Sequence, residues 1–349
     1  MGTFRALLAL GVLLEHAGRS LFVDSYTAVQ TFFIISGFYM SLILRNQKYE
    51  IIGFYCSRAV RLFPIFWIGG ILTILSSIII TQFDIETTFL TYLTNHNLNN
   101  LELFWVAWIN TTLIGADSVW FINDIFGNQN SHLVHLLTIP PSWTLSLEVY
   151  FYLLVPFLCL AKDRTLALLC LISIGTRVVC YFNYELNTNP FHARFFPFEI
   201  VFFSLGILCQ RYETALRKYF ANIANLLFLS LFFFSIFFHE LSNFFNFPEV
   251  YKTKTYIPSL LFYALTLITL PSLFDKSKSN LIDRYLGEYS YPLYVFHYCF
   301  VAAFVHSGIG NFWAVLIPSV FMSALSIHFI QIPIDKFRHK KFVAPTIGT

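Results

Sequence analysis

Arg5-Ala-Leu-Leu-Ala-Leu-Gly-Val-Leu-Leu-Glu15-His16 sets the frame for the rest of the chain. It is an apolar helical run with a cation at its mouth and two ionisable groups far along it. Arg5 and His16 stand eleven positions apart. At 3.6 residues per turn that is three turns plus about 20°, so they share one face, roughly 16 Å apart along the axis. A bilayer penalises such groups heavily, and a span that keeps them turns them toward the protein interior or a cavity. With a cytosolic start, Arg5 sits at the inner rim and His16 well into the membrane. Glu15 points about 100° away from His16, and the sequence assigns it no role.

The surroundings agree with a membrane setting. Of 349 residues, 57% are hydrophobic and 12% charged, with 42 Phe and a mean hydropathy of +0.65. Repeated apolar runs of span length make this an all-α, polytopic transmembrane helical bundle. A net charge of +3 is too weak to argue for nucleic acid. The six cysteines lie scattered in apolar runs without metal-ligand or disulfide spacing, and read as packing residues. The first run is followed by polar residues where a cleavable signal has small ones, so it reads as a retained first span.

Ten spans are expected, at 5–22, 27–44, 59–80, 143–161, 165–182, 196–210, 220–238, 257–274, 286–304 and 312–332. A further apolar segment, 102–115, is broken by Asn110-Thr111-Thr112 inside the polar stretch 81–142. If it does not cross, 17 of the 22 Lys and Arg fall on the cytosolic side; if it does, 8 fall there. The positive-inside rule selects the first arrangement. Both termini are then cytosolic, and 81–142 is an extracytoplasmic loop with a re-entrant or surface-lying helix at 102–115. Residues 1–342 form a single transmembrane domain and 343–349 a short cytosolic tail. Basic groups such as Lys276–Arg284 would touch anionic lipid.

Four clusters could carry chemistry. Arg58 and Arg61 lie three apart at the inner end of the third span, as positive-inside anchors or as a phosphate clamp that Arg5 would join. Glu148 follows Pro140-Pro141-Ser142-Trp143 by about one turn, with Trp143 at the interfacial depth of an aromatic belt. A carboxylate there needs a partner from another helix, and Arg177 is one candidate for a structural ion pair. His16 is either a satisfied core histidine or, kept uncharged by burial, a base that can accept a proton. His297 in the ninth span reads equally as structural or functional. His132 and His135 have i,i+3 spacing without a third ligand pattern, so no metal site is expected.

Together these pieces resemble the acyltransferase 3 family, integral-membrane enzymes that O-acylate bacterial surface glycans and some small acceptors. Arg5 to His16 is similar to the family's Arg-x10-His signature, and Phe32-Phe33-Ile-Ile-Ser36-Gly37-Phe38 to its Phe-Phe-x-x-Ser-Gly-Phe segment. Arg58-x-x-Arg61-x-x-Pro64, Trp143-Thr-Leu-Ser146-Leu-Glu148 and Ser290-Tyr291-x-x-Tyr294-x-x-His297 follow in the family's order. Two departures stand out: Gln30 replaces the Asp of Gly-Val-Asp-x-Phe-Phe, and Gln331-Ile-Pro333 replaces Glu-x-Pro. Both lose a carboxylate. The esterase-like domain that often follows in the family is not among these residues, so handoff to an attached soluble transferase is not expected of this chain.

The resemblance implies a multi-pass protein of the bacterial cytoplasmic (inner) membrane with no bound cofactor. Its co-substrate would be acyl-CoA, acetyl-CoA by family frequency. The acceptor would be a hydroxyl of a surface glycan or lipid-linked sugar. The donor's phosphates would sit at Arg5, Arg58 and Arg61, and His16 would be the general base. Glu148 would orient His16 or bind the acceptor, and Ser36-Gly37 would serve helix packing rather than nucleophilic attack. Trp143, Arg177 and His297 would support the site. The rival readings are a transporter or lipid-glycan flippase, whose buried ions line a path, and a non-catalytic membrane scaffold.

Overall fold

A computed structural model of the protein describes residues 1–46, 50–81, 88–95, 98–125, 133–184, 190–191, 193–244, 256–305, 308 and 311–342. Among them the structure is helical, without a strand. Helices α1 (Gly2–His16), α2 (Ser25–Asn46) and α3 (Ile51–Thr81) come first. Short helices α4 (Thr88–Asn95), α5 (Asn100–Thr112) and α6 (Ser118–Ile125) follow, then the long pair α7 (Trp143–Leu160) and α8 (Asp163–Tyr184). Next are α9 (Phe196–Arg211), α10 (Glu213–Tyr219), α11 (Ala224–Ile236), α12 (Phe238–Phe244) and α13 (Tyr256–Ser277). The last are α14 (Leu281–Phe300), α15 (Phe312–Ser326) and α16 (Ile332–Phe342). Each of α14 and α15 runs on into a π-helical turn, at Val301–Val305 and Ile327–Gln331.

Local chemistry explains the boundaries. The chain leaves α1 after His16, where Gly18 takes a left-handed φ of +78°. The first helix is therefore shorter than the run 5–22. Asp24 begins α2, its carboxylate accepting from the Thr27 amide at 3.0 Å. Glu15 accepts from the Ser25 amide at the same helix start. That gives Glu15 the role the sequence left open, an acid at the positive end of α2. Asn99 and Glu102 form a reciprocal capping box at the start of α5. Leu113, at φ 65°, ends α5 after 13 residues, a length of about 20 Å.

Six helical stretches among the described residues are long and apolar enough to cross a membrane: Ser25–Arg45, Ile51–Ile79, Pro140–Leu160, Asp163–Asn183, Ile257–Ser277 and Phe312–Phe342. The pair α10 and α11, bent by 66°, makes a seventh if it is one span. The other three stretches read as spans from sequence are α1, α9 and α14, with 15, 16 and 20 residues. The first two are short, and α14 carries Asp283, Arg284 and Glu288. These three lie in the middle of the bundle. α1 packs along α14, and α9 along α2 and α8.

Lipid tails are as apolar as leucine, so helices in a bilayer associate through close packing and hydrogen bonds rather than expulsion of water. Gly37 and Gly206 face each other so closely that a Cβ on Gly37 would overlap the Phe203 carbonyl. Phe203 stacks between Phe33 and Phe151, with ring centroids 4.5 and 4.1 Å away. Contacts of this kind contribute roughly 0.5–1.5 kcal/mol per pair. Gly2 meets Gly287 in the same way at the start of α1. There Asp283 accepts from the Gly2 and Thr3 amides at 2.7 and 2.9 Å. All six cysteines are free, and Cys170, Cys209 and Cys299 are fully buried.

Candidate functional site

A cavity of about 490 Å³ opens among α1, α2, α3, α7 and α14. That is the size of a pocket for a small molecule, and roughly 300–1,000 Å³ is usual. Its lining includes Arg5, Ser36, Arg58, Arg61, Glu148 and Tyr291. Arg58 is only 5% exposed, so its charge is held inside the protein rather than at a lipid surface. Its Nη1 lies 3.7 Å from Met40 Sδ and its Nη2 3.4 Å from Ser57 Oγ. Arg61 pairs with Glu288 at 3.3 Å, and the Arg5 guanidinium lies over the Tyr39 ring at 6.0 Å. The spacing that put Arg58 and Arg61 on one face of α3 thus turns both to one cavity, with Arg5 of α1 across it.

Glu148 accepts from Ser36 Oγ at 3.0 Å and from Tyr152 OH at 2.6 Å. Both donors are neutral. The ion pair considered with Arg177 is not formed. Arg177 lies on α8 and donates to Glu199 of α9 at 2.5 Å, while Gln30 donates to the same carboxylate at 3.1 Å. Of the Ser36-Gly37 pair, Gly37 is the packing residue, and Ser36 faces the cavity and holds Glu148.

Beyond this cavity is a chamber of about 50 Å³, lined by His16, Ser25, Tyr26, Trp143, Arg194 and Tyr294 among others. Tyr294 and Val29 line both spaces and so form the wall between them. The Tyr294 hydroxyl is held by Thr144 Oγ1 at 2.8 Å and donates to the Pro141 carbonyl at 3.0 Å. Trp143, expected in an aromatic belt, is instead buried and faces inward over Arg194, its ring 4.9 Å from the guanidinium carbon. Packing against the buried Arg194 cation keeps it away from the lipid interface.

His16 meets His297, with Nδ1 of the first 3.1 Å from Nε2 of the second. Each Nδ1 also faces the carbonyl one turn back: Val12 O at 3.0 Å for His16, Leu293 O at 3.3 Å for His297. A carbonyl oxygen only accepts, so each Nδ1 carries a proton. The lone pair of His297 is then on Nε2, facing His16, and that of His16 is on its own Nε2. With the proton assigned to Nδ1 by the Val12 carbonyl, His16 Nε2 carries the lone pair.

Sequence reading grouped Arg5, Arg58, Arg61, Ser36 and Glu148 with His16, and the structure divides them between two adjoining spaces. It overlooked Arg194 and Tyr294 as site residues. Arg194 was counted as a loop cation, and nothing in its neighbourhood marks it out. Tyr294 sat inside a quoted motif, three residues before His297. Among the described residues no group of three or more His, Cys, Asp or Glu is placed to hold a metal ion, and His132 lies outside them.

An all-helical bundle of apolar helices around two arginine-bearing chambers and a histidine pair defines a membrane protein with an internal polar site. The chain belongs to the acyltransferase domain family, whose model matches residues 3–330. It is 26% identical to the protein named O-acetyltransferase OatA of Staphylococcus aureus, both in strain NCTC 8325 / PS 47 and in strain MRSA252. The match covers 97% of this chain and 57% of the relative, so the chain spans little more than half the length of these curated relatives. No solved structure matches it.

Proposed function

We propose that the protein is a membrane O-acyltransferase that moves an acetyl group from cytosolic acetyl-CoA to a hydroxyl of a surface glycan or lipid-linked sugar. In this reading α1, α9 and α14 cross the bacterial cytoplasmic membrane with the other seven spans, and both termini face the cytosol. The observation that carries it is the convergence of Arg5, Arg58 and Arg61 on one cavity, with His16 in the next chamber behind Tyr294. Guanidinium groups match phosphate oxygens with paired N–H donors. The donor's phosphates would rest there while the acyl-bearing arm reaches past Tyr294.

The chemistry is direct transfer. The acceptor oxygen attacks the thioester carbonyl while His16 Nε2 takes the hydroxyl proton. The C–O bond forms and the carbonyl electrons move onto oxygen. The tetrahedral intermediate then collapses, the C–S bond breaks, and the departing thiolate recovers the proton from His16. A positioned general base contributes about 10²–10⁴-fold to such a step. His297 holds the His16 tautomer, and Glu148, anchored by Ser36 and Tyr152, borders the donor's path.

The test is to supply purified protein in vesicles with acceptor-containing membrane extract and acetyl-labelled acetyl-CoA, and to identify the labelled product by mass spectrometry. The reading expects an ester on a glycan or lipid-linked sugar, formed with stoichiometric release of free CoA. Movement of a lipid-linked sugar without consumption of acetyl-CoA would replace the enzyme reading with the flippase one.

A further inference from the structure

Arg194 precedes α9 in a short turn and is 6% exposed. Its guanidinium carbon lies 3.7 Å from the Trp120 ring centroid, 4.9 Å from Trp143 and 5.6 Å from Tyr26. Among the described residues it forms no ion pair, and its Nε and Nη1 have no hydrogen-bond partner in the protein. A buried cation with idle donors costs several kcal/mol, and cation–π contact offsets only about 2 kcal/mol of that. Arg194 lines the chamber that His16 also lines, and none of the chamber's lining residues is acidic.

The chamber's size limits what can use those donors. At about 50 Å³ it holds only a few atoms, since one water needs roughly 10–15 Å³ on the same measure. A group that enters it is within reach of His16 and Arg194 together. An acetyl carbonyl is such a group, and it becomes an anion when a hydroxyl adds to it.

We infer that Arg194 is a catalytic residue that donates N–H to the oxyanion formed as the acyl carbonyl is attacked, while His16 takes the acceptor's proton. This rests on the acyl-transfer reading above. In balance, the carbonyl electron pair that moves to oxygen is met by the guanidinium, which keeps its own protons. It returns to the C=O bond as the thiolate leaves. The aromatic walls hold the donors rigid and exclude water, the condition under which fixed donors act most strongly on developing charge.

The test compares wild type, Arg194→Gln and Arg194→Lys in native membranes containing the endogenous acceptor, with labelled acetyl-CoA. Maximal rate, KM for acetyl-CoA and thermal unfolding are read together. Arg194→Gln should lose about 10²–10³-fold in maximal rate, with KM for acetyl-CoA and the unfolding temperature near wild type. Arg194→Lys, keeping charge and ring contact but not the fork, should fall between. A maximal rate within threefold of wild type in Arg194→Gln overturns the inference, as does a loss matched by an equal rise in KM. If Arg194→Gln does not fold, Arg194→Lys decides: a tenfold or greater loss supports the role and a wild-type rate overturns it. No transfer by wild type overturns the acyl-transfer reading with it, whereas an active wild type beside an unimpaired Arg194→Gln sinks this inference alone.

Discussion

His297 Nε2 lies 3.1 Å from His16 Nδ1, so an imidazole of α14 meets the imidazole of α1 directly. The two residues are far apart in sequence, and α1 and α14 pack along each other for much of their length. One proton serves both the Val12 carbonyl and His297, leaving His16 Nε2 with the lone pair. A fixed tautomer is what a general base requires before substrate arrives.

Replacing His297 should therefore impair turnover without touching the donor cavity. His297→Leu removes one of the two acceptors of the His16 Nδ1 proton, leaving the Val12 carbonyl, and is expected to lower the maximal rate by about tenfold or more, as loss of an orienting partner does elsewhere. KM for acetyl-CoA should not move. His297→Gln, whose side-chain oxygen can accept in the same place, should recover part of the rate. Equal rates in both variants and wild type would make the contact a packing feature.

The arginines make a separate prediction. Arg58→Ala and Arg61→Ala each remove a charged hydrogen bond from the proposed phosphate site, worth about 1.5–3 kcal/mol. The double variant should weaken acetyl-CoA binding at least tenfold by calorimetry in detergent, and added salt should weaken wild-type binding. Unchanged affinity would return both residues to the role of positive-inside anchors.

Much of this arrangement was legible before any coordinates. The i,i+3 spacing of Arg58 and Arg61, and the shared face of Arg5 and His16, place side chains by helix geometry alone. Apolar runs likewise marked the long helices. What escaped was set by contacts between distant segments. Arg177 chose Glu199 because α8 packs on α9, and no local pattern reports that. Arg194 became a buried group only because Trp120 and Trp143 fold over it. The end of α1 falls at His16, with Gly18 at positive φ just beyond it, short of the expected span 5–22.

Helix packing can be tested without activity. A Cβ on Gly37 would collide with backbone of α9, whereas one on Gly175 of α8 meets nothing within 4 Å. Gly37→Ala should lower stability by about 1–3 kcal/mol, the usual cost of overpacking. Gly175→Ala should be neutral or stabilise by up to about 1 kcal/mol through helix propensity. Thermal unfolding in one detergent reads both, and a Gly37→Ala protein as stable as wild type would mean the two helices are further apart.

Asp283 predicts a pH effect at the start of α14. Burial opposes its ionisation, but the Thr3 amide, the Met1 amino group, the Gly2 amide and the Thr3 hydroxyl together hold its carboxyl well below the usual range. A depressed folded value means stability that is full at neutral pH and is lost as pH falls below the unfolded value of about 3.9. Wild type should unfold at a higher temperature than Asp283→Asn at pH 7, and the gap should narrow below about pH 4. A gap that widens in acid would contradict the contact.

If His16 takes the acceptor's proton, as proposed, single-turnover transfer by His16→Ala isolates that step. Vesicles carrying wild type or His16→Ala at equal protein content are loaded with labelled acetyl-CoA, and the rate of ester formation is followed. His16→Ala should insert into the membrane and bind donor like wild type, with a transfer rate about 10²–10⁴-fold lower. Transfer by His16→Ala at the wild-type rate would contradict it.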